Sequence, residues 1–236
     1  MERTGDAYTY IRSRIMILQK SKLDSYRQNP GRVSSLPYWK SRIMNVPDSL
    51  KIIHKKDLKD IDLNKYQKQV FFKLVHHLHN IGDVVLPNSF YLRTVNKDYE
   101  LRNVVSLINE CYCDITVDMK KIIAMQEEPA YDKSLWVFIL DRANCRPVAL
   151  GIADFDPEVK EGSLEWIQVL PQYRGLGLGK AIVCELLTRL EKKADFVTVS
   201  GQIENHTKPE ELYRSCGFEG DDIWYVLREK RIAAHA

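Results

Sequence analysis

The chain has 236 residues, which is long for one domain of about 150 residues and short for two, so we expect one domain with an appendage. Hydrophobic residues make up 44% and charged residues 28%, which is typical of a folded protein and excludes a disordered one. A net charge of +3, with basic and acidic residues interspersed, argues against a nucleic-acid-binding protein.

The sequence shows no pattern of a membrane or secretory segment. The first residues lack a basic start followed by an apolar stretch, and no apolar run approaches the roughly 20 residues of a membrane span. We therefore expect a cytoplasmic protein with no membrane partner. The five cysteines lack the Cys-x-x-Cys spacing of zinc or redox sites, so most are expected to be reduced.

Residues 1–86 are predicted to form a helical extension of unknown role. Apolar residues at helical spacing predict one helix from about residue 7 to 28 and a second over about 58–80. The segment between 32 and 50 mixes prolines with aromatic residues, which fits an ordered loop or a loose linker.

Three histidines near the end of the second predicted helix invite a metal-site interpretation. His76, His77 and His79 have no carboxylate at a matching helical spacing, which a metal site on one helix face would need. We expect them to be solvent-exposed and to bind no metal.

A domain boundary is predicted near residue 87, because residues 87–236 change to a mixture of strands and helices. Runs of β-branched and aromatic residues predict strands, and helical spacing predicts helices. The strands are at 90–95, 135–140, 148–153, 164–170, 195–200 and 223–228, and the helices at about 101–108, 116–125 and 180–193. Since a helix crosses between 164–170 and 195–200, these two strands are expected to be parallel.

A glycine-rich segment separates the strand 164–170 from the helix that follows it, and it reads Gln172-Tyr173-Arg174-Gly175-Leu176-Gly177-Leu178-Gly179-Lys180. Unpaired N–H groups at the helix start favour an anion, so we expect a phosphate to bind there. A Walker loop would need glycine at 174 and serine or threonine at 181, and a dinucleotide fingerprint would need glycine at 180. Arg174, Ala181 and Lys180 exclude both motifs.

Gln172-x-x-Gly175-x-Gly177 after a strand resembles motif A of the GNAT superfamily of N-acetyltransferases. The resemblance implies an α+β fold, with a mixed, mostly antiparallel central sheet flanked by helices; here an N-terminal helical appendage is added. It also implies that acetyl-coenzyme A is the co-substrate and that the turn from Gln172 to Lys180 holds its pyrophosphate. No metal is implied. Ile167 and Val169 are implied to flank the pantetheine arm, where the two parallel strands splay apart.

The segment from Asn205 to Phe218 resembles motif B of the same superfamily. Thr207 and Glu210 have the spacing of a capping box, which predicts a short helix here. By this match, Asn205 would hydrogen-bond the coenzyme and Tyr213 would stand near its sulfur. A departing thiolate needs a proton that a phenol can donate, so Tyr213 is the candidate general acid; alternatively, it is a half-buried helix aromatic.

Glu165 is the candidate general base for the attacking amine. Strand alternation predicts that it shares one face with Ile167 and Val169, and some GNAT members carry a glutamate on this strand as base. An exposed strand carboxylate is an equally good interpretation, and Glu161 or Asp154 could act through water. A backbone N–H near Val169 is expected to bind the oxyanion.

An acidic group leads into this strand and comprises Asp154, Asp156, Glu158, Glu161 and Glu165. It would favour a cationic, lysine-like or polyamine-like acceptor if it faces the acceptor mouth, although a solvated turn explains most of its members equally well.

The sequence as a whole predicts an N-acetyltransferase that uses acetyl-coenzyme A and a small-molecule or peptide amine. A non-catalytic module that binds acetyl-coenzyme A and acts through a protein partner is the alternative, and a homodimer is left open.

Overall fold

The computed structural model describes residues 22–59, 61–96, 98–112 and 115–230. The strands are β1 Leu50–His54, β2 Tyr66–His76, β3 Phe90–Thr94, β4 Trp136–Asp141, β5 Pro147–Asp156, β6 Glu161–Val169, β7 Phe196–Gln202 and β8 Glu219–Glu229. The helices are α1 Leu23–Gln28, α2 Pro30–Val33, α3 Tyr38–Ile43, α4 Leu101–Cys111, α5 Met119–Gln126, α6 Leu178–Glu191 and α7 Pro209–Ser215.

The described strands form one eight-stranded sheet in the order β1-β8-β2-β7-β6-β5-β4-β3. All neighbouring pairs are antiparallel except β6 and β7, which are parallel as the sequence predicts. Their parallel direction follows from the crossover of α6, which connects the two strands. The fold is therefore α+β, with a mixed, mostly antiparallel sheet flanked by helices.

Helix α6 packs on one face of the sheet. A Cβ atom at Gly151 on β5 would collide with Ile182, and one at Gly162 on β6 would lie 2.7 Å from Leu190 Cδ1, so both glycines allow the helix to approach closely. The apolar side of α6 is fully buried there. The opposite face carries the N-terminal helices, since Tyr26 of α1 hydrogen-bonds Glu161 next to Gly162.

The predicted helix over 58–80 is wrong, because residues 66–76 form strand β2 between β7 and β8. Phe72, Lys73 and Leu74 are all buried, since both faces of β2 are covered. A strand buried on both faces need not alternate apolar and polar residues, so its apolar residues matched a helical period by chance.

The N-terminal region does contain helices, but they are the short α1 to α3. Most of the predicted helix from 7 to 28 lies outside the described residues. Strands β1 and β2 precede residue 87 and lie in the same sheet as the strands that follow it. The division of the chain at residue 87 stays a prediction.

The expectation of three solvated histidines is wrong for His76. Its side chain is buried beside the ring of Phe218, with centroids 5.2 Å apart, whereas His77 and His79 are exposed. His76 is the last residue of β2 and faces the core, whereas His77 and His79 lie in the segment that follows the strand.

The capping prediction at motif B is also wrong. Lys208, with φ of +49°, is the N-cap of α7, and no side chain caps the helix. Thr207 instead donates its N–H to Asn205 Oδ1 at 2.9 Å.

Over the described part of the chain, no helix is both long and apolar enough to cross a membrane.

Candidate active site

The parallel strands β6 and β7 pair with each other over only part of their length. Their pairing runs from Glu161 opposite Phe196 to Leu164 opposite Val199. Both strands continue beyond these pairs, β6 to Val169 and β7 to Gln202, without pairing to each other within the described residues. We call the gap that begins after Leu164 and Val199 the fork.

A β-bulge marks the start of the fork. Ile152 and Ala153 are consecutive on β5, but they pair with Trp166 and Leu164, so Glu165 is an extra residue on β6. Bulges of this kind bend a strand and re-aim a side chain, and they are frequent beside active sites. The bulge thus turns β6 at the position of the candidate base.

Because of the bulge, Glu165 does not share a face with Ile167 and Val169, so the predicted alternation is wrong. Val169 Cγ2 lies 3.7 Å from the Cβ position of Gly179, so Val169 faces α6. Ile167 pairs with Gly151, whose Cβ position also faces α6. Glu165 points to the other face, where its carboxylate accepts a 2.6 Å hydrogen bond from the ammonium of Lys40.

The glycine-rich turn adopts the backbone that its glycines allow. Gly175 and Gly177 have φ of +80° and +78°, and a Cβ atom at either would meet no atom within 4 Å. Ala181 N–H makes the first bond back into α6, to Gly177 O at 3.1 Å. The preceding N–H groups of Leu178, Gly179 and Lys180 have no intrahelical partner. Open space and free donors fit a phosphate-bearing co-substrate.

The side chains of the turn are held at its edges or exposed. Arg174 donates from Nε to Val169 O at 3.2 Å, and Tyr173 donates to Asp141 Oδ2 at 3.4 Å. Gln172, Leu176 and Lys180 are exposed. Asn205 lies in the loop before α7, where its Oδ1 accepts from Thr207 Oγ1 at 2.8 Å.

Tyr213 is buried on the α6 and α7 side of the sheet. Its ring packs against Phe72 and Phe218, with centroid distances of 6.2 and 5.8 Å. Burial raises the pKa of Tyr213 well above its usual value, and Tyr112 and Cys216 nearby add to this. The phenol therefore carries its proton at neutral pH, as a general acid requires.

A second tyrosine, Tyr112, follows α4 and was not predicted as a site residue from the sequence. Its hydroxyl accepts a 2.8 Å hydrogen bond from Gln168 Nε2 on β6, and its ring packs edge-on to Trp166 at 5.9 Å. Tyr112 also contributes to the raised pKa of Tyr213. The sequence carries no motif around Tyr112 that would have identified it.

The acidic group is largely buried rather than solvated, which corrects the interpretation of a solvated turn. Asp154, Asp156 and Glu161 are all buried, whereas Glu158 is exposed. Asp154 Oδ2 has no hydrogen-bond partner among the described residues. Burial, with the nearby negative charge of Glu165, raises the pKa of Asp154 to about 8.

Glu161 is the centre of a buried polar network beside the paired part of β6 and β7, which precedes the fork. Its carboxylate accepts from Tyr26 at 2.7 Å, Thr198 at 2.6 Å and Tyr38 N at 2.8 Å. Lys73 donates to the Tyr26 hydroxyl at 3.2 Å, and burial lowers the pKa of Lys73 to about 8. The network attaches α1 and α3 to β6 and β7.

Residues 35–40, which we call the strap, cross the start of the fork. Ser200, the residue after Val199 on β7, donates to Ser35 O at 2.9 Å. Lys40 at the other end pairs with Glu165, the residue after Leu164 on β6. The strap therefore connects the first residues of the two diverging strands.

A cleft of about 240 Å³ lies on the face of the sheet opposite the strap, where Phe72, Gln202 and Ile203 meet the start of α7.

No group of three or more His, Cys, Asp or Glu side chains able to hold a metal ion occurs among the residues that the structure describes.

Residues 132–220 match the family model of the acetyltransferase (GNAT) domain. This range contains β4 to β7, α6, α7 and the first residues of β8. It therefore includes the fork, the glycine-rich turn and Tyr213. A comparison with curated protein sequences finds no match.

Solved structures with a similar fold include a GCN5-related N-acetyltransferase from Sphaerobacter thermophilus, with 16% identity and a TM-score of 0.66 over 76% of this chain and 58% of that chain. A functionally unknown conserved protein from Staphylococcus epidermidis shares 12% identity, with a TM-score of 0.53 over 75% of this chain and 68% of its own. A GCN5-related glucosamine N-acetyltransferase region of a fungal multi-domain β-N-acetylglucosaminidase shares 13% identity, with a TM-score of 0.51 over 69% and 21%. These likenesses show a common fold.

Proposed function

Because residues 132–220 match the family model of the acetyltransferase (GNAT) domain, we propose that the chain is an N-acetyltransferase that transfers an acetyl group from acetyl-coenzyme A to a primary amine. The main support is the fork, which opens at the Glu165 bulge and has the glycine-rich turn at the far end of β6. A carboxylate and a phenol lie on opposite faces of the sheet near this gap. Such an arrangement suits a reaction that needs one base and one acid.

The glycine-rich turn binds the phosphates of the co-substrate through its backbone N–H groups. Gly175 and Gly177 allow the close approach, and the start of α6 adds a favourable dipole. Ile167 and Val169 flank the pantetheine arm. Asn205, in the loop between β7 and α7, hydrogen-bonds the coenzyme. Acetyl-coenzyme A supplies the acetyl group as a thioester.

Glu165 takes the proton of the acceptor amine, directly or through water. Its carboxylate already contacts an alkylammonium group, that of Lys40, with the geometry of proton transfer. A backbone N–H near Val169 stabilises the negative charge on the acetyl oxygen. Tyr213, kept protonated by its burial, donates a proton to the leaving thiolate.

The acceptor is proposed to be a cationic, lysine-like or polyamine-like amine. Asp154, Glu128 and Glu165 all act electrostatically on the ammonium of Lys40, so this region stabilises a positive charge. Asp154 in particular is buried with an oxygen free of protein partners. Taking a charge from water costs free energy unless opposite charges surround it. The carboxylates of Glu165 and Glu128 provide them, while Asp154, which holds a proton at neutral pH, adds a buried polar group.

The decisive experiment measures coenzyme A release from acetyl-coenzyme A over a panel of aliphatic diamines, lysine peptides, aminoglycosides and neutral arylamines. We expect release with aliphatic amines and much less with arylamines. Equal rates on both classes would contradict the cationic acceptor. Binding of acetyl-coenzyme A without release to any acceptor would instead favour a non-catalytic module that acts through a protein partner.

A further inference from the structure

The strap brings one of the chain's own amines to the fork. Lys40 lies on α3 and Glu165 on β6, separated by 125 positions in the sequence, yet their charged atoms are 2.6 Å apart. The Lys40 side chain is 27% exposed and that of Glu165 16%, so both remain accessible to solvent. Ser35 at the other end of the strap is tied to Ser200.

Lys40 has the chemistry of the proposed acceptor. It is a primary aliphatic amine, and its Nζ donates to the same carboxylate that would accept the acceptor's proton. Burial disfavours its charge, but Glu165, Asp154 and Glu128 outweigh this and raise the pKa of Lys40. The amine is therefore protonated at rest and needs a base, and Glu165 is the base in contact with it.

We propose that the chain acetylates its own Lys40, an inference that rests on the proposed N-acetyltransferase function. Glu165 takes a proton from the Lys40 ammonium, and the freed nitrogen lone pair attacks the thioester carbonyl carbon. A C–N bond forms, the C–S bond breaks, and the thiolate leaves with a proton from Tyr213, while the nitrogen of the adduct gives up its second proton to solvent. Glu165 then loses its proton to solvent and Tyr213 regains one, so that coenzyme A and one net proton are released.

Acetylation would change the start of the fork. An acetylated Lys40 is neutral and can no longer form an ion pair with Glu165. The carboxylate would then be free to accept a proton from an external amine. The reaction on Lys40 is thus expected to precede full activity on other acceptors.

The test incubates the full chain with acetyl-coenzyme A alone and follows the acetyl group by intact mass and peptide mapping. Lys193 provides a matched control, since it pairs with Asp132 at 2.5 Å, is 25% exposed and lies over the ring of Phe155 as Lys40 lies over that of Trp39, but it follows the end of α6. Lys40→Arg and Lys193→Arg keep the positive charges. Coenzyme A release to an aliphatic diamine is measured on the same samples.

We expect Lys40 to be acetylated roughly 10²-fold faster than Lys193, at a rate independent of protein concentration. Both amines contact a carboxylate, but only Lys40 is held at the fork, and holding a reactant in place contributes at least about that factor. Lys40→Arg should abolish the modification and Lys193→Arg should leave it unchanged. Equal labelling of both lysines, or a rate proportional to protein concentration, would overturn the inference. An unmodified Lys40 in a sample that acetylates the diamine would overturn it while leaving the proposed function intact, and no transfer to either amine would overturn both.

Discussion

The hydroxyl of Tyr26 donates a 2.7 Å hydrogen bond to the carboxylate of Glu161, which attaches the first described helix to the first residue of β6. Both groups are buried, and burial raises the pKa of Tyr26 well above its usual value. The N-terminal helices are thus joined to the strand that carries the fork, and removing this bond should weaken the fold behind the site.

We expect Tyr26→Phe to lower the free energy of unfolding by about 1–3 kcal/mol, because it leaves a buried carboxylate with one hydrogen bond fewer. Urea denaturation measures the change. Tyr66→Phe is the control, since its hydroxyl bonds the exposed Lys51, and its effect should stay within about 0.5 kcal/mol. Equal effects of the two substitutions would contradict a stabilising role of the network around Glu161.

Tyr213→Phe should lower kcat about 10²-fold while the Kd for acetyl-coenzyme A stays similar, because only the proton donor is lost. Steady-state kinetics and a binding titration separate the two quantities. The ring contacts with Phe72 and Phe218 remain, so thermal stability should hardly change.

Tyr112→Phe is the matched control for this experiment, since its phenol contributes to the raised pKa of Tyr213 and accepts a hydrogen bond from Gln168. We expect it to change kcat much less. A large loss of turnover in Tyr112→Phe and none in Tyr213→Phe would assign the acid role to Tyr112 instead.

Gly177→Ala should raise the KM for acetyl-coenzyme A about tenfold, because a left-handed backbone costs a non-glycine residue about 1–2 kcal/mol and the turn would relax away from it. Initial rates at varied acetyl-coenzyme A concentration measure this. Gly82→Ala is the control, since its Cβ would only touch Cys184 Sγ at 3.6 Å. A KM that is unchanged in Gly177→Ala would remove the turn from the binding site.

Asp154 makes stability depend on pH. Its pKa rises from 3.8 to about 8 on folding, so the folded state holds a proton that the unfolded state has already released. Stability from this group is present below the unfolded pKa and is lost as pH rises through the folded pKa. Between about pH 5 and 8 we expect the wild-type chain to lose about 1–3 kcal/mol relative to Asp154→Asn, whose amide does not titrate.

Urea denaturation across this pH range tests the prediction. Asp195→Asn is the control, because that carboxyl is 64% exposed and pairs with Lys160 only at 3.7 Å. Its pH profile should parallel the wild-type one. Parallel profiles for the wild type and Asp154→Asn would show that Asp154 does not hold a proton in the folded state.

Elements with strong local signals were predicted correctly, whereas those decided by distant partners were not. The strands from Phe90 onward combine β-branched runs with turn residues, so their type could be recognised without knowing their neighbours. Strand β2 was not recognised as a strand, because its apolar spacing also fits a helix. Only its pairing with β7 and β8 selects the extended form.

The candidate site divides in the same way. Tyr213 and Glu165 were proposed from motif and strand position, and their roles stay predictions. The face to which Glu165 points was predicted wrongly, since a bulge cannot be read from alternation. Tyr112 and Lys40 were missed because neither lies in a recognisable motif.

The sequence by itself determined the glycine-rich turn and the parallel direction of β6 and β7. Both are local consequences of chain chemistry: Gly175 and Gly177 permit positive φ, and a crossover helix makes the strands that it joins parallel. Only the tertiary structure decided that Lys40 meets Glu165, because their contact spans 125 positions and depends on the bulge, the strap and the buried Glu161 network together.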